Sequence, residues 1–527
     1  MQIEKWGRLA PALAWALGTV FFFHRMLFSG FREIAGGFGD TRLCNYFLEH
    51  SFRWLGRSPT HGSLWDLPVF HPAPNTFAYS ETLLGTAPIY WLWRLPGLAQ
   101  DSAFQMWMLT AASLNFLAAY LMMQRGFGFE RTAAALGGFL CAYGHIRAAQ
   151  LHHPQLIPQF FTFLGIYFLC RILREPERRQ SAAVLAFFGC LVGQTYASFY
   201  LGWFFVLGLS VAACWGLIFP GSRGWVLGAI RSNFLVIALS ALVALSALLP
   251  LALHGLDVAR QTGWRDYDEV TSMVPRPQSW IYMGRRSLLY FWLRDAPVFL
   301  AIPAEHEQRL GLGIVCTLVA AVGLWKSRER PWGTVLIASA LTVVLLSTTF
   351  GGFSLWRAVH AYFPGGAAIR AVSRIGLLLL IPAGLGIAAF YERFANRRIV
   401  AALLAVCLAE QVYSVETYPK ALGRSVAATI ARQVRPGCTS YYLSILPVEG
   451  SDRSDWLHQV DAMTAQLIVE VPTVNGYSGN TPPGYGSLDQ NVVETPEDRE
   501  RIRRDLASWV RMNRLDDVCL VEAVSPY

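Results

Sequence analysis

Long apolar runs separated by polar segments dominate residues 1–416 of the chain. Several of these runs approach or reach the roughly 20 residues that an α-helix needs to cross a bilayer. The pattern therefore predicts a polytopic α-helical membrane module with about eleven spans. The predicted spans lie near residues 8–28, 103–123, 131–146, 154–172, 181–197, 200–219, 232–253, 309–325, 331–349, 374–391 and 399–414.

The polar segments alternate between short basic loops and long loops of mixed charge. The basic loops include RILREPERRQ, KSRERP and YERFANRR, and all of them fall on one side of the predicted bundle. Because basic loops stay in the cytoplasm, we expect a cytoplasmic N-terminus and an external C-terminus. The long loops at 30–102 and 254–308 are then outer loops. The first contains an apolar stretch, 82–98, which its prolines and Arg94 predict to be interfacial or re-entrant.

Composition agrees with a membrane protein. Only 15% of the 527 residues are charged and the mean hydropathy is +0.35. The net charge of +9 does not indicate nucleic-acid binding, because the basic residues are spread over short loops. Most of the nine cysteines fall inside apolar runs, where a small buried hydrophobic side chain is the simplest interpretation.

The pattern changes after about residue 415. Three runs alternate between apolar and polar positions, YYLSI (441–445), QLIVEV (466–471) and VCLVEA (518–523), and predict strands. A helix is expected over 496–513, capped by Thr495. Residues 417–527 are therefore predicted to form a small extracytoplasmic α/β domain. Cys438 and Cys519 each adjoin a predicted strand and can pair in an oxidising compartment, but their spacing alone does not decide it.

The first outer loop carries more ionisable groups than packing requires. Asp40 lies between Gly39 and Arg42, so a flexible residue and a cation flank a carboxylate just outside the first span. Glu81 stands where the loop re-enters apolar sequence, where an unpaired carboxylate is costly. The two are candidates for an acid/base pair or a metal-supporting pair. Alternatively, Glu81 caps the interfacial helix that follows it.

The other outer loops supply polar side chains suited to sugar or phosphate. Arginine contacts phosphate oxygens through two parallel hydrogen bonds, and histidine titrates near neutrality. Arg370 and Arg374 are expected one helical turn apart on one face. The candidate substrate-binding residues in these loops are His152, His153, Gln155, Arg265, Asp266, Asp268, Arg285, Arg286, Arg370 and Arg374.

Together these motifs resemble the GT-C superfamily of membrane glycosyltransferases, which use polyprenyl-phosphate sugars as donors. Its members include protein mannosyltransferases, aminoarabinose transferases of lipid A and uncharacterised bacterial proteins. The resemblance is carried by Gly39–Asp40, by HPAPNTFAYSE (71–81), by HHPQ (152–155), by the pair Arg370 and Arg374, and by NGYSG (475–479) in the C-terminal region.

The resemblance implies that Asp40 takes the proton of the acceptor hydroxyl and that the sugar is transferred with inversion. It implies a bacterial inner-membrane location with a periplasmic C-terminal domain, a glycan, lipid or protein as acceptor, and membrane lipids as surroundings. The chain has no second acid directly beside Asp40, which makes Glu81 the candidate for that second acid. Asp40, Glu81 and His153 are the candidate ligands if a divalent metal takes part. Further substrate-binding candidates are Arg42, His71, Asn75, Tyr79, Asn475 and Tyr477.

Two other functions compete with this one. A transporter or flippase for lipid-linked sugars would predict charges in mid-span and repeated halves, and the sequence has few of the former and none of the latter. A non-catalytic assembly protein would account for the C-terminal domain but not for the charged first loop. NGYSG also has a simpler interpretation, a tight turn that requires glycine.

Overall fold

The computed structural model describes residues 2–450 and 454–525, so residues 1, 451–453 and 526–527 of the two predicted domains lie outside the described residues. The first half of the chain forms α1 (Gln2–Phe28), β1 (Glu33–Ala35), α2 (Asp40–Leu55), α3 (Ala87–Arg94), α4 (Gln100–Leu121), α5 (Arg131–Tyr143), α6 (His145–Ala149), α7 (Phe160–Arg174), α8 (Ser181–Ala197), α9 (Phe199–Ile218) and α10 (Pro220–Thr262). The second half forms α11 (Tyr267–Thr271), α12 (Pro297–Leu300), α13 (Ile314–Lys326), α14 (Gly333–Leu346), β2 (Thr349–Phe350), β3 (Phe353–Ser354), α15 (Trp356–Tyr362), α16 (Gly376–Arg393), α17 (Arg397–Glu410), β4 (Thr417–Pro419), α18 (Lys420–Ala431), β5 (Ser440–Leu446), α19 (Asp455–Val469), α20 (Pro496–Asn513) and β6 (Val518–Val524).

Each predicted span coincides with an apolar helix. Within the described residues, six helices are long and apolar enough to cross a bilayer, and α8 and α14 are shorter apolar helices. The predicted fold class, a multi-pass helical membrane protein with a small C-terminal α/β region, is confirmed. The number of eleven spans stays a prediction, because α13, α14 and α17 have only 13, 14 and 14 residues.

Helix α10 differs from the prediction in length. It runs for 43 residues, so the predicted inner loop with Arg223 and Arg231 is part of the helix. At about 1.5 Å per residue it extends roughly 65 Å, about twice the hydrocarbon core. Its far end contacts the first outer loop, where the Asn75 side chain hydrogen-bonds to His254 and Asp257. One helix therefore both spans the membrane region and supports the outer loop.

The first outer loop is packed against the C-terminal region. Strand β1 pairs antiparallel with β4, with Ile34 opposite Tyr418. In α2, the buried Arg42 Nη1 donates to the buried Asp461 Oδ1 of α19 at 2.6 Å. The predicted boundary between residues 416 and 417 is therefore crossed by a β-ladder and by a buried ion pair, and the division into two domains stays a prediction.

The C-terminal region contains two of the three predicted strands. Strands β5 and β6 pair in parallel, with Tyr441 opposite Cys519, and Cys438 forms a disulfide with Cys519. The helix at 496–513 is confirmed, and the Thr495 hydroxyl accepts from the Asp498 amide as its cap. The strand predicted at 466–471 is wrong. Residues 466–469 form the last turn of α19, in which Gln466 and Leu467 are buried and Ile468 is exposed, and the helix ends where Glu470 takes a left-handed conformation.

A buried histidine pair lies inside the first outer loop. The Nδ1 atoms of His50 and His61 are 2.8 Å apart, and both side chains are fully buried. Burial lowers the pKa of His50 to about 4 and that of His61 to about 3, the latter also because of its neighbour. Since only one of two facing nitrogens can carry a proton without repulsion, the loop packs around a neutral pair.

This pair predicts a loss of stability in acid. The unfolded chain binds protons near the ordinary histidine pKa of 6.5, whereas the folded pair does not until about pH 4. The free energy of unfolding should therefore fall as pH drops from 6.5 to 4. We expect the thermal unfolding midpoint of the purified protein to fall less steeply over this range in His50→Asn/His61→Asn than in wild type.

The variant His360→Asn is the matched control, because it removes a partly buried histidine from a different outer segment. It should keep the wild-type slope. An unchanged slope in the double variant would show that other groups cause the acid sensitivity.

Candidate active site

Asp40 is the first residue of α2 and stands where the chain turns from the first loop into that helix. A carboxylate is favourable in the first turn, because the backbone amides there point their hydrogens outward. Its side chain is 22% exposed, which makes it the more accessible partner in a largely buried cluster. Gly39 precedes it where a Cβ atom would lie only 1.8 Å from the Trp456 ring. Glycine is therefore required by this close approach.

His153 joins Asp40 to a second carboxylate. Its Nδ1 donates to Asp40 Oδ2 at 2.7 Å, and its Nε2 donates to Glu307 Oε1 at 3.0 Å. Because both ring nitrogens face carboxylate oxygens, each must carry a proton. The ring is therefore an imidazolium held between two anions.

Glu307 also binds Arg374, which extends the row of alternating charges. Arg374 donates from Nη2 to Oε1 at 2.7 Å and from Nε to Oε2 at 3.2 Å. The Glu307 side chain is 2% exposed and that of Arg374 is 8% exposed. The guanidinium also lies 4.8 Å from the ring centre of Tyr200. We call Asp40, His153, Glu307 and Arg374 the ion row.

The ion row sets the protonation of its members. Burial disfavours the Asp40 carboxylate, but the hydrogen bond and charge of His153 outweigh burial, so the pKa of Asp40 lies below its ordinary value. Burial likewise opposes ionisation of Glu307, yet Arg374 and His153 hold its pKa well below 4.5. Burial and Arg374 oppose the His153 cation, but Glu307 and Asp40 raise its pKa. The two carboxylates and the two cations of the ion row are therefore charged, and their charges sum to zero.

Glu81 lies beside this row but at the start of another helix. Its carboxylate accepts from the Ser198 hydroxyl at 3.1 Å and from the Tyr200 amide at 2.9 Å, at the first turn of α9. Burial raises its pKa, against the opposing hydrogen bond of Tyr200 and charge of Arg374. The expectation that Glu81 caps the interfacial helix after it is wrong, since the helix it caps is α9.

Other predicted residues in this part of the fold have structural partners. Arg42 is 5% exposed and binds Asp461 and the Phe38 carbonyl. Gln155 accepts from the Cys44 thiol at 3.2 Å. His152 packs against His153, and within the described residues its Nε2 is buried without a hydrogen-bond partner.

The second and third outer loops meet around Glu269. Arg265 and Arg370 both bind its Oε1, at 3.2 and 3.3 Å, and Arg265 also donates to the Gly479 carbonyl. Arg370 and Arg374 do not share a helical face, because Ile369 is extended and Ala371 is non-helical between two short 3-10 turns. Arg370 is 39% exposed, so these two arginines have different surroundings.

The remaining predicted residues are distributed more widely. Asp266 and Asp268 are exposed, and Asp266 caps α11. Arg285 is exposed and Arg286 pairs with Glu416. The His71 carbonyl accepts a hydrogen bond from the Trp509 indole, and the Asn75 side chain donates to Asp257 of α10. Tyr79 is buried. The Asn475 side-chain oxygen accepts from the Leu443 amide, and its nitrogen donates to Gln459 Oε1.

NGYSG brings Tyr477 close to Asp40. Burial and the Asp40 carboxylate raise the pKa of Tyr477, so its phenol stays protonated. The glycines of this loop are needed for close packing rather than for a left-handed turn, because a Cβ at Gly476 would meet the Phe70 ring at 2.5 Å.

A divalent metal does not fit the set Asp40, Glu81 and His153. Both ring nitrogens of His153 donate to carboxylates, so neither has a lone pair for a metal. Glu81 is bound to Ser198 and Tyr200. Within residues 2–450 and 454–525, no three His, Cys, Asp or Glu side chains are arranged so that they could hold a metal ion.

Four residues important to the site were missed in the sequence. Glu307 had a usable signal, since it stands where the second outer loop returns to apolar sequence, just as Glu81 does for the first. Tyr200, Trp456 and Asp461 are far from Asp40 in sequence and had no local signal. Only folding brings them next to α2 or the ion row.

No family model and no curated protein matches this chain. Among solved structures, the oligosaccharyltransferase of Archaeoglobus fulgidus is 12% identical, with a TM-score of 0.49 over 89% of this chain and 64% of that one. ArnT from Cupriavidus metallidurans is 14% identical, with a TM-score of 0.48 over 95% and 91%. The same protein bound to undecaprenyl phosphate gives 15% identity and a TM-score of 0.36 over 88% and 85%. These values are too low to transfer any residue role to this chain, which spans under two thirds of the oligosaccharyltransferase.

The ion row predicts that Glu307→Gln is strongly destabilising. It leaves buried Arg374 and His153 without their shared anion, and breaking a buried pair typically costs about 3–5 kcal/mol. The control Glu329→Gln breaks an exposed pair with Arg393, which should cost at most about 1 kcal/mol. Chemical unfolding of both purified variants measures the difference. Equal, small losses would show that the ion row contributes little to stability.

Proposed function

We propose that this protein is a glycosyltransferase that moves a sugar from a polyprenyl-phosphate donor to an acceptor hydroxyl. The observation that carries the proposal is the partly exposed Asp40 carboxylate, held ionised by the His153 imidazolium at 2.7 Å. It stands outside the apolar helices, where a lipid-linked donor presents its head group. The GT-C resemblance of the sequence motifs supports the same conclusion.

In the proposed reaction Asp40 is the general base. The acceptor oxygen forms a bond to the anomeric carbon while the bond from that carbon to the phosphate oxygen breaks. The bonding electron pair leaves with the phosphate, and the hydroxyl proton passes to Asp40. A carboxylate is a weak base, but the hydroxyl becomes acidic as its oxygen bonds to carbon, so proton transfer in the transition state is sufficient. One displacement inverts the anomeric configuration.

His153 and Glu307 act on Asp40 rather than on the substrate. The imidazolium fixes the orientation of the carboxylate through its Nδ1, and Glu307 holds the imidazolium through its Nε2. After the proton arrives on Asp40, the neighbouring cation favours its release to solvent. We therefore assign them positioning roles.

The leaving phosphate needs cations that are not already neutralised. Arg374 is committed to Glu307 by two hydrogen bonds and is buried, whereas Arg370 and Arg265 share one carboxylate, Glu269, and are more exposed. Two guanidinium groups on one anion leave a net positive charge. We assign the phosphate to Arg370 and Arg265, because guanidinium groups bind phosphate oxygens in pairs. Glu81 then positions Tyr200, whose hydroxyl accepts from the Arg370 amide.

The membrane topology belongs to the same proposal. The basic loops support a cytoplasmic N-terminus and an external C-terminal region, which is the periplasm if the membrane is a bacterial inner membrane. Asp40 and the C-terminal region then share the outer side, where the acceptor arrives.

The replacement Asp40→Asn should abolish transfer while donor binding is kept. Asparagine keeps the shape of the side chain but cannot take the proton. Loss of a general base typically costs about 10²–10⁴-fold in turnover. Transfer from a panel of polyprenyl-phosphate hexoses by purified protein measures kcat, and lipid binding is measured separately. Asp489→Asn, an exposed aspartate of the C-terminal region, is the matched control.

Normal turnover by Asp40→Asn would rule out Asp40 as the base. If neither wild type nor variant transfers any sugar yet both bind the lipid, the transporter or assembly function is supported instead.

The replacement Arg370→Met should weaken donor binding without unfolding the protein. It removes an exposed cation and leaves Glu269 paired with Arg265. We expect the KM for the donor to rise about tenfold, the effect of losing one charge-assisted contact. Arg357→Met, an exposed arginine of α15, is the control. An unchanged donor KM would exclude Arg370 from the phosphate site.

A further inference from the structure

Two aromatic side chains of the C-terminal region border Asp40 and are not used by the proposed base and phosphate sites. Trp456 lies in the first turn of α19, and Tyr477 lies in NGYSG. Their ring centres are 5.5 Å apart and their planes differ by 40°. Trp456 is 43% exposed, although its ring edge packs against the chain at Gly39. A large exposed aromatic ring beside a candidate catalytic group is a candidate contact for a ligand.

The indole lies directly on the backbone that leads into α2. A Cβ at Gly39 would lie 1.8 Å from Trp456 Cζ3 and 2.4 Å from Cη2, so the ring edge occupies the space a side chain would take. Because consecutive Cα atoms are about 3.8 Å apart, the aromatic surface begins one residue from Asp40. A molecule resting on this ring is therefore within reach of the carboxylate.

Tyr477 continues the aromatic surface towards the charged groups. Burial, and to a smaller extent the Asp40 carboxylate, raises the pKa of Tyr477, whereas the charge of Arg370 lowers it. The phenol is thus within electrostatic range of both the proposed base and the proposed phosphate site. Its amide also donates to Met463 of α19 at 3.3 Å, which fixes the loop against the helix that carries Trp456.

We propose that Trp456 and Tyr477 form the acceptor subsite and that this subsite takes a saccharide ring, which makes the acceptor a glycan. This inference rests on the proposed function, because the bound sugar is an acceptor only if a second sugar is transferred to it.

The chemistry of a pyranose ring fits this surface. The face of an aromatic ring carries partial negative charge, and the C–H bonds on one face of a pyranose are apolar with slight positive charge. Stacking buries that face and leaves the hydroxyl groups at the rim of the sugar. One rim hydroxyl can then reach the Asp40 carboxylate, to which the Tyr477 phenol is also hydrogen-bonded.

The other two acceptor classes fit less well. A serine or threonine side chain of a peptide presents a hydroxyl on a short, flexible stem and gains little from a broad flat ring. A lipid acceptor would place acyl chains against Asp40, His152 and Arg370, which are polar. Only a sugar combines a flat apolar face with several hydroxyl groups.

The test measures saccharide binding to the full-length protein in detergent without any donor. Saturation-transfer NMR is recorded with the methyl glycosides of glucose, galactose, mannose and N-acetylglucosamine, and with a short serine-containing peptide. The variants are Trp456→Ala and Trp456→Phe. Trp292→Ala is the matched control, because Trp292 is a similarly exposed tryptophan of the second outer loop, 56% exposed.

We expect transfer to the ring C–H protons of at least one glycoside. The Kd should rise about tenfold in Trp456→Ala, stay within about threefold of wild type in Trp456→Phe, and not change in Trp292→Ala. The phenylalanine variant keeps an aromatic ring at Gly39, so it separates loss of stacking from loss of folding.

The proposal is overturned if no glycoside binds wild type, if Trp456→Ala binds as wild type does, or if only the peptide shows binding that depends on Trp456. Because no donor is present, failure of Asp40→Asn to lose turnover would contradict the proposed base but leave this result standing. Conversely, loss of turnover with no saccharide binding would support the transferase and reject the glycan subsite.

Discussion

Four buried or partly buried charges that alternate in sign hold together the chain segments around Asp40. Asp40 comes from the start of α2, His153 from the segment between α6 and α7, Glu307 from the end of the second outer loop and Arg374 from the turn before α16. A buried charge is costly unless an opposite charge and hydrogen bonds accompany it. Each segment therefore supplies the partner that the next one requires, and separating any loop would leave a buried ion unbalanced.

The C-terminal region completes the site from the other side. The β1–β4 ladder and the Arg42–Asp461 pair attach it to the first outer loop on either side of Asp40. This attachment also brings Trp456 onto Gly39. Asp40 is therefore bordered by the ion row on the helical side of the chain and by Trp456 and Tyr477 of the C-terminal region.

The arginines of the site illustrate how burial separates roles that the sequence makes look equal. Arg374 forms an ion pair with Glu307 and packs on the Tyr200 ring, so its charge is neutralised inside the protein. Arg370, four residues earlier, shares its carboxylate with Arg265 and stays exposed. The same contrast applies to the two carboxylates of the first loop, since Glu81 is buried at the start of α9 and Asp40 is partly open. Buried and partly exposed charges therefore lie side by side.

The sequence by itself determined the membrane character, the positions of the apolar helices, the C-terminal strands β5 and β6, and Asp40 as the leading candidate residue. These depend on local properties, namely apolar run length, alternation of side chains and the cost of an ionisable group beside a membrane helix. The strand expected at 466–471 was wrong, because a run of only six mixed apolar and polar residues fits the end of a helix as well as a strand.

Only the tertiary structure decided which charges meet. Glu307 and Arg374 are 67 residues apart, and Arg42 and Asp461 are 419 apart, so no local pattern could pair them. The Cys438–Cys519 bridge, the placement of Trp456 on Gly39 and the capping of α9 by Glu81 arise in the same way. Each depends on two distant segments approaching within a few ångströms, which is set by packing of the whole chain rather than by the residues on either side.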